Sequence, residues 1–562
     1  MTGQRDTASD SRGTGTSRRS FLQRGAMGAA LAAVGGVAAG RATGSSRRGR
    51  AAAEPFALAE KTVRELQEGM ESGTYTTRAI VDAYVARVRA LDRQGLALNH
   101  ILEINPDAAR LADQLDAERQ RSGARGPLHG IPVLLKDNVG TADRMATAAG
   151  SLALAHSRPR QDSFVARQLR AAGAVLLGKT NLSEWANFRS THSSSGWSAR
   201  GGQCLNPYAL DRSPCGSSSG SAAAIAANLG SVAIGTETDG SIVCPAAANS
   251  LVGIKPTVGL VSRAGIVPLS HSQDTAGPMA RTVADAALLL GALTGVDAGD
   301  EATLAGRGKA RSDYARFLDP RGLRGARIGV PRKRFFGYSD PTDRIVEAAL
   351  QAMSRAGAVI VDPADLPHAG EYDESEFSVL LFDFKEDINR YLSSLDPPAP
   401  VRTLAELIDF NERHRDRELP YFGQEIFHMA QEKGPLTSEE YMKALAESRR
   451  LSREEGIDAV MNQHALDALV MPTGGPPWTI DLVNGDHFSG GSSTPAAVAG
   501  YPSITVPAGY AFGLPVGISF TGRAYSEPIL IKLAYAFEQA TRVRRAPRFL
   551  PQADLHAAMV EA

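Results

Sequence analysis

Near its middle the chain reads Pro214-Cys-Gly-Ser-Ser-Ser-Gly-Ser221, and shortly afterwards Gly235-Thr-Glu-Thr-Asp-Gly-Ser-Ile-Val-Cys-Pro245. A serine hydroxyl is a weak nucleophile until a base removes its proton. The candidate base is Lys136, which ends the apolar run Gly130-Ile-Pro-Val-Leu-Leu-Lys136. We therefore interpret Ser217, Ser241 and Lys136 as parts of one proton path.

The segments on both sides of these stretches alternate between helix and strand patterns. Residues 219–228 are alanine-rich and predict a helix, whereas 231–235 predict a strand. Alternation of this kind predicts an α/β fold in which helices cover a sheet. The other predicted elements are a helix at 282–293 and strands at 133–135, 174–177, 327–330, 358–361, 468–471, 503–506 and 516–520.

Composition and charge set the class of protein. The 562 residues are 43% hydrophobic and 22% charged, which is enough apolar material for a sizeable core. Residues 1–53 hold nine arginines and two aspartates, so 54–562 carry 52 basic and 59 acidic residues, a net charge of −7. This balance argues against a nucleic-acid partner.

The N-terminus has the features of a targeting signal. Ser17-Arg-Arg-Ser-Phe-Leu-Gln23 precedes an apolar Ala/Gly run at 25–40, which is similar to a twin-arginine export signal. The run is shorter than the roughly 20 residues of a membrane-spanning helix. We expect 1–53 to be signal and flexible segment, cleaved after Ala53 or near 39–42, and the remaining chain to be periplasmic or extracellular without stable membrane insertion.

The rest of the chain, 54–562, is expected to form one domain. Residues from about 371 to 463 carry long helical patterns broken by Pro397-Pro-Ala-Pro400. We interpret them as a helical insertion that caps the catalytic sheet and determines specificity.

The three cysteines, Cys204, Cys215 and Cys244, form no Cys-x-x-Cys motif. Neither a disulfide framework nor a zinc site is predicted. One disulfide could form after export, but three small apolar side chains are the favoured interpretation.

Two further segments match known motifs. Residues 173–180 fit the P-loop expression, yet the intervening residues are an apolar strand rather than a phosphate-binding loop. Residues 216–220 fit Gly-x-Ser-x-Gly, with Ser218 as nucleophile and His487 or His556 as base. The loop-like segment before 216 disfavours this elbow, which must follow a strand, so it stays an alternative mechanism.

Several spaced motifs together resemble the amidase signature family. They are Lys136 and the two serine stretches, with 178–184, 253–257, 274–281 and 500–507, and the likeness spans about 57–547. The resemblance implies one large domain with a central mixed β-sheet covered by helices on both faces. It also implies an amide-hydrolysing triad in which Ser217, in a cis peptide with Gly216, bridges Lys136 and the nucleophile Ser241. No metal or organic cofactor is implied.

The turn Thr238-Asp-Gly-Ser241 can aim backbone amides at a developing oxyanion. The predicted donors are the amides of Thr238, Asp239, Gly240 and Ser241. Asp239 departs from the family's two glycines before the nucleophile, and we expect its carboxylate to meet substrate. Desolvation at the end of an apolar strand is expected to lower the pKa of Lys136.

Three segments, 183–187, 195–202 and 236–245, are most similar to family members that hydrolyse the C-terminal amide of peptides. A small-molecule or short-peptide amide is therefore the expected partner, and the enzyme is expected to be a monomer or homodimer. The alternatives are an exported amidase of broad specificity on small aliphatic or aryl amides, the amidotransferase A subunit that makes Gln-tRNA, and a catalytically inactive exported binding protein. The export signal argues against the amidotransferase.

Overall fold

The computed structural model describes residues 56–562, so the predicted export signal lies outside the described residues. Eleven strands form one sheet and two more form a small ribbon. The strands are β1 (Ile101–Ile104), β2 (Pro132–Lys136), β3 (Val175–Thr180), β4 (Trp197–Ser198), β5 (Gly202–Gln203), β6 (Val232–Glu237), β7 (Val252–Lys255), β8 (Thr275–Ala280), β9 (Arg327–Gly329), β10 (Val359–Val361), β11 (Ala468–Pro472), β12 (Ser503–Ala511) and β13 (Leu514–Thr521).

Helices surround this sheet. The α-helices are α1 (Val63–Glu71), α2 (Thr77–Arg87), α3 (Ala108–Ser122), α4 (Phe164–Ala171), α5 (Ser219–Ala226), α6 (Val243–Ala248), α7 (Val283–Leu293), α8 (Asp340–Arg355), α9 (Asp373–Ser394), α10 (Leu404–Arg413), α11 (Arg415–Glu418), α12 (Glu425–Gln431), α13 (Glu439–Arg449), α14 (Asp458–Gln463), α15 (Thr494–Ala499) and α16 (Glu527–Thr541). Within residues 56–562, none of the helices has the length and apolar character needed to cross a membrane.

The large sheet has the order β1-β3-β2-β6-β8-β7-β12-β13-β11-β9-β10 and is mixed. Strand β2 runs parallel to β3 and β6, whereas β6 and β8 are antiparallel. Every residue of β2, β3 and β6 is buried, which requires cover on both faces of the sheet. The predicted α/β fold, one large domain with a central mixed sheet, is confirmed.

The sequence patterns missed some strands, and β8 is the one that matters for the site. Its residues, Thr275-Ala-Gly-Pro-Met-Ala280, include Gly277 and Pro278, which are unfavourable inside a strand. The strand nevertheless lies between β6 and β7, and Glu237 pairs with Thr275. This register brings the chain after β6 opposite the chain before β8.

The segment between β10 and β11 carries α9 to α14. Leu380, Phe384 and Ile388 of α9 belong to a buried cluster that also contains Trp185 and Phe188 of the main domain. Because they are spaced by four residues, these side chains lie on one face of α9. This packing fixes the first helix of the segment against the neighbourhood of the serine stretches.

Candidate active site

Lys136 ends β2 with its side chain fully buried. Its Nζ lies 2.8 Å from Ser217 Oγ, 2.9 Å from Thr236 Oγ1 and 3.1 Å from the Thr236 carbonyl oxygen. Burial lowers the pKa of Lys136 to about 7, and the carboxylates of Asp274 and Glu237 oppose that shift. Near neutral pH a substantial fraction of this amine is therefore unprotonated and able to accept a proton.

Ser217 is held in a close-packed turn. The Gly216–Ser217 peptide bond is cis, as the family resemblance implies. A Cβ at position 216 would lie 2.2 Å from Ser183 Oγ, so a larger residue would displace a hydroxyl that accepts a hydrogen bond from the Gly196 amide. The next amide, of Ser218, donates to the carbonyl oxygen of Ser241 over 3.2 Å, which brings the second serine stretch alongside the first.

Ser241 ends a turn between β6 and α6. Gly240 has φ +79°, a left-handed conformation that glycine adopts without steric cost. Glu237 Oε2 accepts hydrogen bonds from the amides of Ile242 (2.6 Å) and Val243 (3.0 Å) at the start of α6. The sequence did not reveal the role of Glu237, because a carboxylate at the end of an apolar strand does not indicate which amides will donate hydrogen bonds to it.

The carboxylate of Asp239 has partners within the protein, and its contact with substrate stays a prediction. Its two oxygens accept hydrogen bonds from Ser493 Oγ (2.5 Å) and Thr494 Oγ1 (2.9 Å). Both oxygens are thus engaged at the start of α15. The carboxylate anchors the predicted oxyanion turn to this helix, and the amide of Asp239 is unaffected by that role.

The structure joins the three predicted triad residues in part. Lys136 and Ser217 are in direct hydrogen bond, and Ser241 lies on the neighbouring segment. Among residues 56–562, no hydrogen bond links the hydroxyls of Ser217 and Ser241. The transfer between the two serines therefore stays a prediction.

The alternative nucleophile, Ser218, occupies a structural position. Its hydroxyl donates to the carbonyl oxygen of Thr236 (3.1 Å) and accepts from the amide of Thr236 (3.2 Å). It follows a turn rather than a strand, as the sequence indicated. The hydrogen bonds of Ser218 thus fasten the serine loop to β6 and do not involve a histidine.

A cavity of about 370 Å³ lies beside Thr236, which accepts hydrogen bonds from Lys136, but Lys136, Ser217 and Ser241 are not among the residues that line it. Asn138, Thr236 and Thr238 border it on the side of Lys136, and Asp387 and Tyr391 of α9 contribute another wall. A volume of this size suits a small organic ligand or a short peptide end. In the part of the chain that the structure describes, no cluster of His, Cys, Asp and Glu side chains is arranged to hold a metal ion.

The favoured interpretation of three unpaired cysteines is wrong. Cys215 and Cys244 form a disulfide, whereas Cys204 is buried and reduced. The two half-cystines lie two residues before Ser217 and three residues after Ser241. The disulfide therefore ties together the two segments that carry the predicted catalytic serines.

Replacing both Cys215 and Cys244 with serine is expected to lower the free energy of unfolding by about 3 to 4 kcal/mol. The half-cystines are 29 residues apart, and a cross-link over a loop of this length removes that much chain entropy from the unfolded state. Urea unfolding followed by circular dichroism measures the change. Cys204→Ala is the control, and an equal loss in the control would attribute the effect to core packing instead.

Several known proteins are similar to this chain in sequence and in fold. A family model described as Amidase matches residues 79–531. The crystal structure of native peptide amidase from Stenotrophomonas maltophilia is 54% identical and superposes with a TM-score of 0.85, covering 88% of this chain and all of the other. A probable amidase of Arabidopsis thaliana is 41% identical over 504 residues, 88% of this chain and 93% of the relative.

A further solved structure, an amidase family protein from Bacillus anthracis, is 38% identical with a TM-score of 0.80 and covers 87% of this chain and 93% of its own. The match thus extends over the sheet, the serine stretches and the helices that follow β10. It supports an enzyme over an inactive binding protein. The chain belongs to the amidase family of amide-hydrolysing enzymes.

Proposed function

We propose that this enzyme hydrolyses the C-terminal carboxamide of peptides, with Ser241 as nucleophile, Ser217 as proton relay and Lys136 as base. In the first step Ser241 Oγ attacks the carboxamide carbon. Its proton passes to Ser217 Oγ while the Ser217 proton passes to the neutral amine of Lys136. The hydrogen bond of 2.8 Å between Lys136 Nζ and Ser217 Oγ supports this relay.

The tetrahedral intermediate carries an oxyanion, which accepts hydrogen bonds from the amides of Thr238 to Ser241. Its collapse breaks the C–N bond, and the nitrogen takes a proton through Ser217 and leaves as ammonia. Water then attacks the acyl-enzyme, and its proton follows the same relay. The carboxylic acid is released and the hydroxyl of Ser241 is restored.

The observation that supports peptide specificity is a set of three buried polar atoms in residues that border the cavity. Asn138 Oδ1, Trp185 Nε1 and the Tyr391 hydroxyl are buried and have no hydrogen-bond partner among residues 56–562. All three residues border the cavity. Burial raises the pKa of Tyr391, so its hydroxyl keeps its proton.

A buried polar group without a partner costs free energy that a complementary ligand recovers. A peptide backbone supplies both donors and acceptors, whereas a simple aliphatic amide has only its reacting group. The similarity to a peptide amidase at 54% identity supports the same substrate class.

We expect kcat/KM for ammonia release to be about 100-fold higher for an N-acetyl dipeptide amide than for propionamide. Three additional hydrogen bonds at about 1 kcal/mol each, partly offset by the ordering of the longer substrate, correspond to this ratio. Initial rates of ammonia release from the two substrates measure it. Equal or better turnover of propionamide would favour an amidase of broad specificity on small amides.

The variant Tyr391→Phe sharpens the comparison. It removes one of the three polar atoms and keeps the ring, so we expect kcat/KM for the dipeptide amide to fall about 5- to 10-fold. Propionamide, which is too short to use that contact, serves as the internal control. An equal loss of kcat/KM for both substrates would show that the Tyr391 hydroxyl does not contribute to recognition of the peptide.

We also propose that the protein is exported by the twin-arginine route to the periplasm or exterior, as a monomer or homodimer. Ser17-Arg-Arg-Ser-Phe-Leu-Gln23 supports export. The Cys215–Cys244 disulfide adds support, because disulfides persist in oxidising compartments. Cell fractionation before and after replacement of Arg18 and Arg19 with lysine tests the route.

A further inference from the structure

Thr238, the first residue of the predicted oxyanion turn, is held on two sides by the loop before β8. Its hydroxyl donates to Asp274 Oδ1 over 2.6 Å, and its carbonyl oxygen accepts from Gln273 Nε2 over 3.3 Å. The antiparallel register of β6 and β8 accounts for this meeting, because Glu237 pairs with Thr275. Two consecutive loop residues therefore set the orientation of the Thr238 peptide groups.

That loop, residues 270–274, is in turn held by α9. Asp383 Oδ2 accepts from Ser270 Oγ (2.6 Å), and Asp387 Oδ2 accepts from the amide (2.7 Å) and Nδ1 (2.9 Å) of His271. Glu376 Oε1 accepts from Gln273 Nε2 over 3.0 Å.

The three carboxylates form a stripe on α9, since they are spaced by seven and four residues. Glu376, Asp383 and Asp387 are at most 5% exposed. Burying three carboxyl groups is costly unless each is well bonded. The partners that all three share are the groups of loop 270–274.

Gln273 is the link between this stripe and the turn. A glutamine amide has two N–H donors. The amide nitrogen of Gln273 donates one hydrogen bond to the Thr238 carbonyl oxygen and the other to Glu376 Oε1, so both N–H groups have partners. The side chain is 3% exposed. Gln273 thus connects α9 directly to the turn that precedes Ser241, beside the contact of Thr238 with Asp274 in the same loop.

From these contacts we infer that Gln273 is a positioning residue for the oxyanion hole, and that Glu376 of the acidic stripe on α9 sets the hole's geometry through it. The inference rests on the proposed roles of Ser241 and Thr238. The helical segment then affects the rate of the chemical step, in addition to lining the cavity with Asp387 and Tyr391.

The test replaces Gln273 with methionine, which is also unbranched but donates no hydrogen bond. A small alkyl fluorophosphonate is the probe. Ser241 Oγ forms a bond to phosphorus as its proton passes through Ser217 to Lys136, the P–F bond breaks and fluoride leaves, and the phosphoryl oxygen takes the oxyanion position. We expect the second-order labelling rate to fall about 10- to 100-fold, because a small misplacement of oxyanion donors is costly. KM for a dipeptide amide should change less than twofold while kcat falls in parallel with labelling.

The matched control is Gln424→Met. Gln424 is also 3% exposed, and its Nε2 also donates twice, to the Ile408 carbonyl oxygen (3.1 Å) and Glu412 Oε1 (3.0 Å), but within the helical segment itself. We expect the Gln424→Met enzyme to be labelled at the wild-type rate. Equal losses in both variants, or a loss confined to KM, would overturn the inference.

Gln273→Leu replaces the methionine variant if that variant does not fold, since it also lacks both donors. The labelling assay is independent of the substrate class. A wild-type enzyme that is labelled at Ser241 but releases no ammonia from peptide amides would refute the proposed function, and the comparison of variants would still decide the role of Gln273.

Discussion

Replacing Ser241 with alanine is expected to slow ammonia release from a dipeptide amide by at least about 10⁴-fold, because the covalent route disappears with its nucleophile. The residue is 7% exposed and begins no helix itself, so the loss of one hydroxyl should leave the thermal unfolding temperature nearly unchanged. Initial rates and circular dichroism measure the two effects. The variant should also resist labelling by a fluorophosphonate.

Ser218→Ala is the control that separates the two candidate nucleophiles. Its hydroxyl is bonded to the backbone of Thr236, so its loss should weaken the serine loop and lower the rate only about tenfold. If instead Ser218→Ala abolished turnover and Ser241→Ala did not, the Gly-x-Ser-x-Gly mechanism would replace the proposed triad.

The fold was predictable where the local pattern and the tertiary environment agree. The apolar runs at 133–135, 174–177 and 231–235 become β2, β3 and β6, whose residues are all buried. Strand β8 was not predictable, because its Gly277 and Pro278 are poor strand formers that tertiary pairing overrides. Pairing with β6 and β7, which no local pattern encodes, determines that strand.

The candidate site divides in the same way. Lys136, Ser217 and Ser241 could be named because their segments have recognisable motifs. The side chains that hold the oxyanion turn, among them Glu237 and Gln273, could not, because their partners are set by strand register and helix docking. The disulfide was not predicted for the same reason, because pairing of two cysteines 29 residues apart depends on where the two turns meet in the fold.

The partners of Asp239 could not be predicted either. Its position beside the nucleophile invited a role toward substrate, and only the approach of α15 revealed Ser493 and Thr494 as the partners of its carboxylate. An acidic side chain in a catalytic turn is thus not evidence of substrate contact until its neighbours are known.

Replacing Lys136 with methionine is expected to lower the rate at least about 10³-fold, because the relay through Ser217 then has no base. Methionine keeps the apolar stem of the side chain. The variant loses hydrogen bonds to Ser217 and Thr236, but it also relieves the cost of burying an amine whose pKa is lowered from 10.5 to about 7. These changes in stability oppose each other, so the unfolding temperature should shift little.

The wild-type pH profile tests the same assignment without a mutation. Only the neutral amine accepts a proton, so kcat/KM should rise with pH through about 7 and be about 100-fold lower at pH 5 than on the plateau. Asp274, whose pKa burial raises to about 6, is expected to make the limb shallower below pH 6, because its protonation removes a negative charge that raises the pKa of Lys136. The loss at pH 5 should therefore be somewhat smaller than the roughly 100-fold expected from Lys136 alone.

Lys179→Met is the matched control for both experiments. Lys179 is fully buried on the adjacent β3, its pKa is lowered to about 8, and its Nζ bonds Thr147 Oγ1 at 3.0 Å rather than a serine of the triad. The midpoint of the acid limb does not depend on how much protein is folded, so it should stay near pH 7 in this variant. A midpoint that moved with Lys179, or that survived in Lys136→Met, would mean that another group supplies the base.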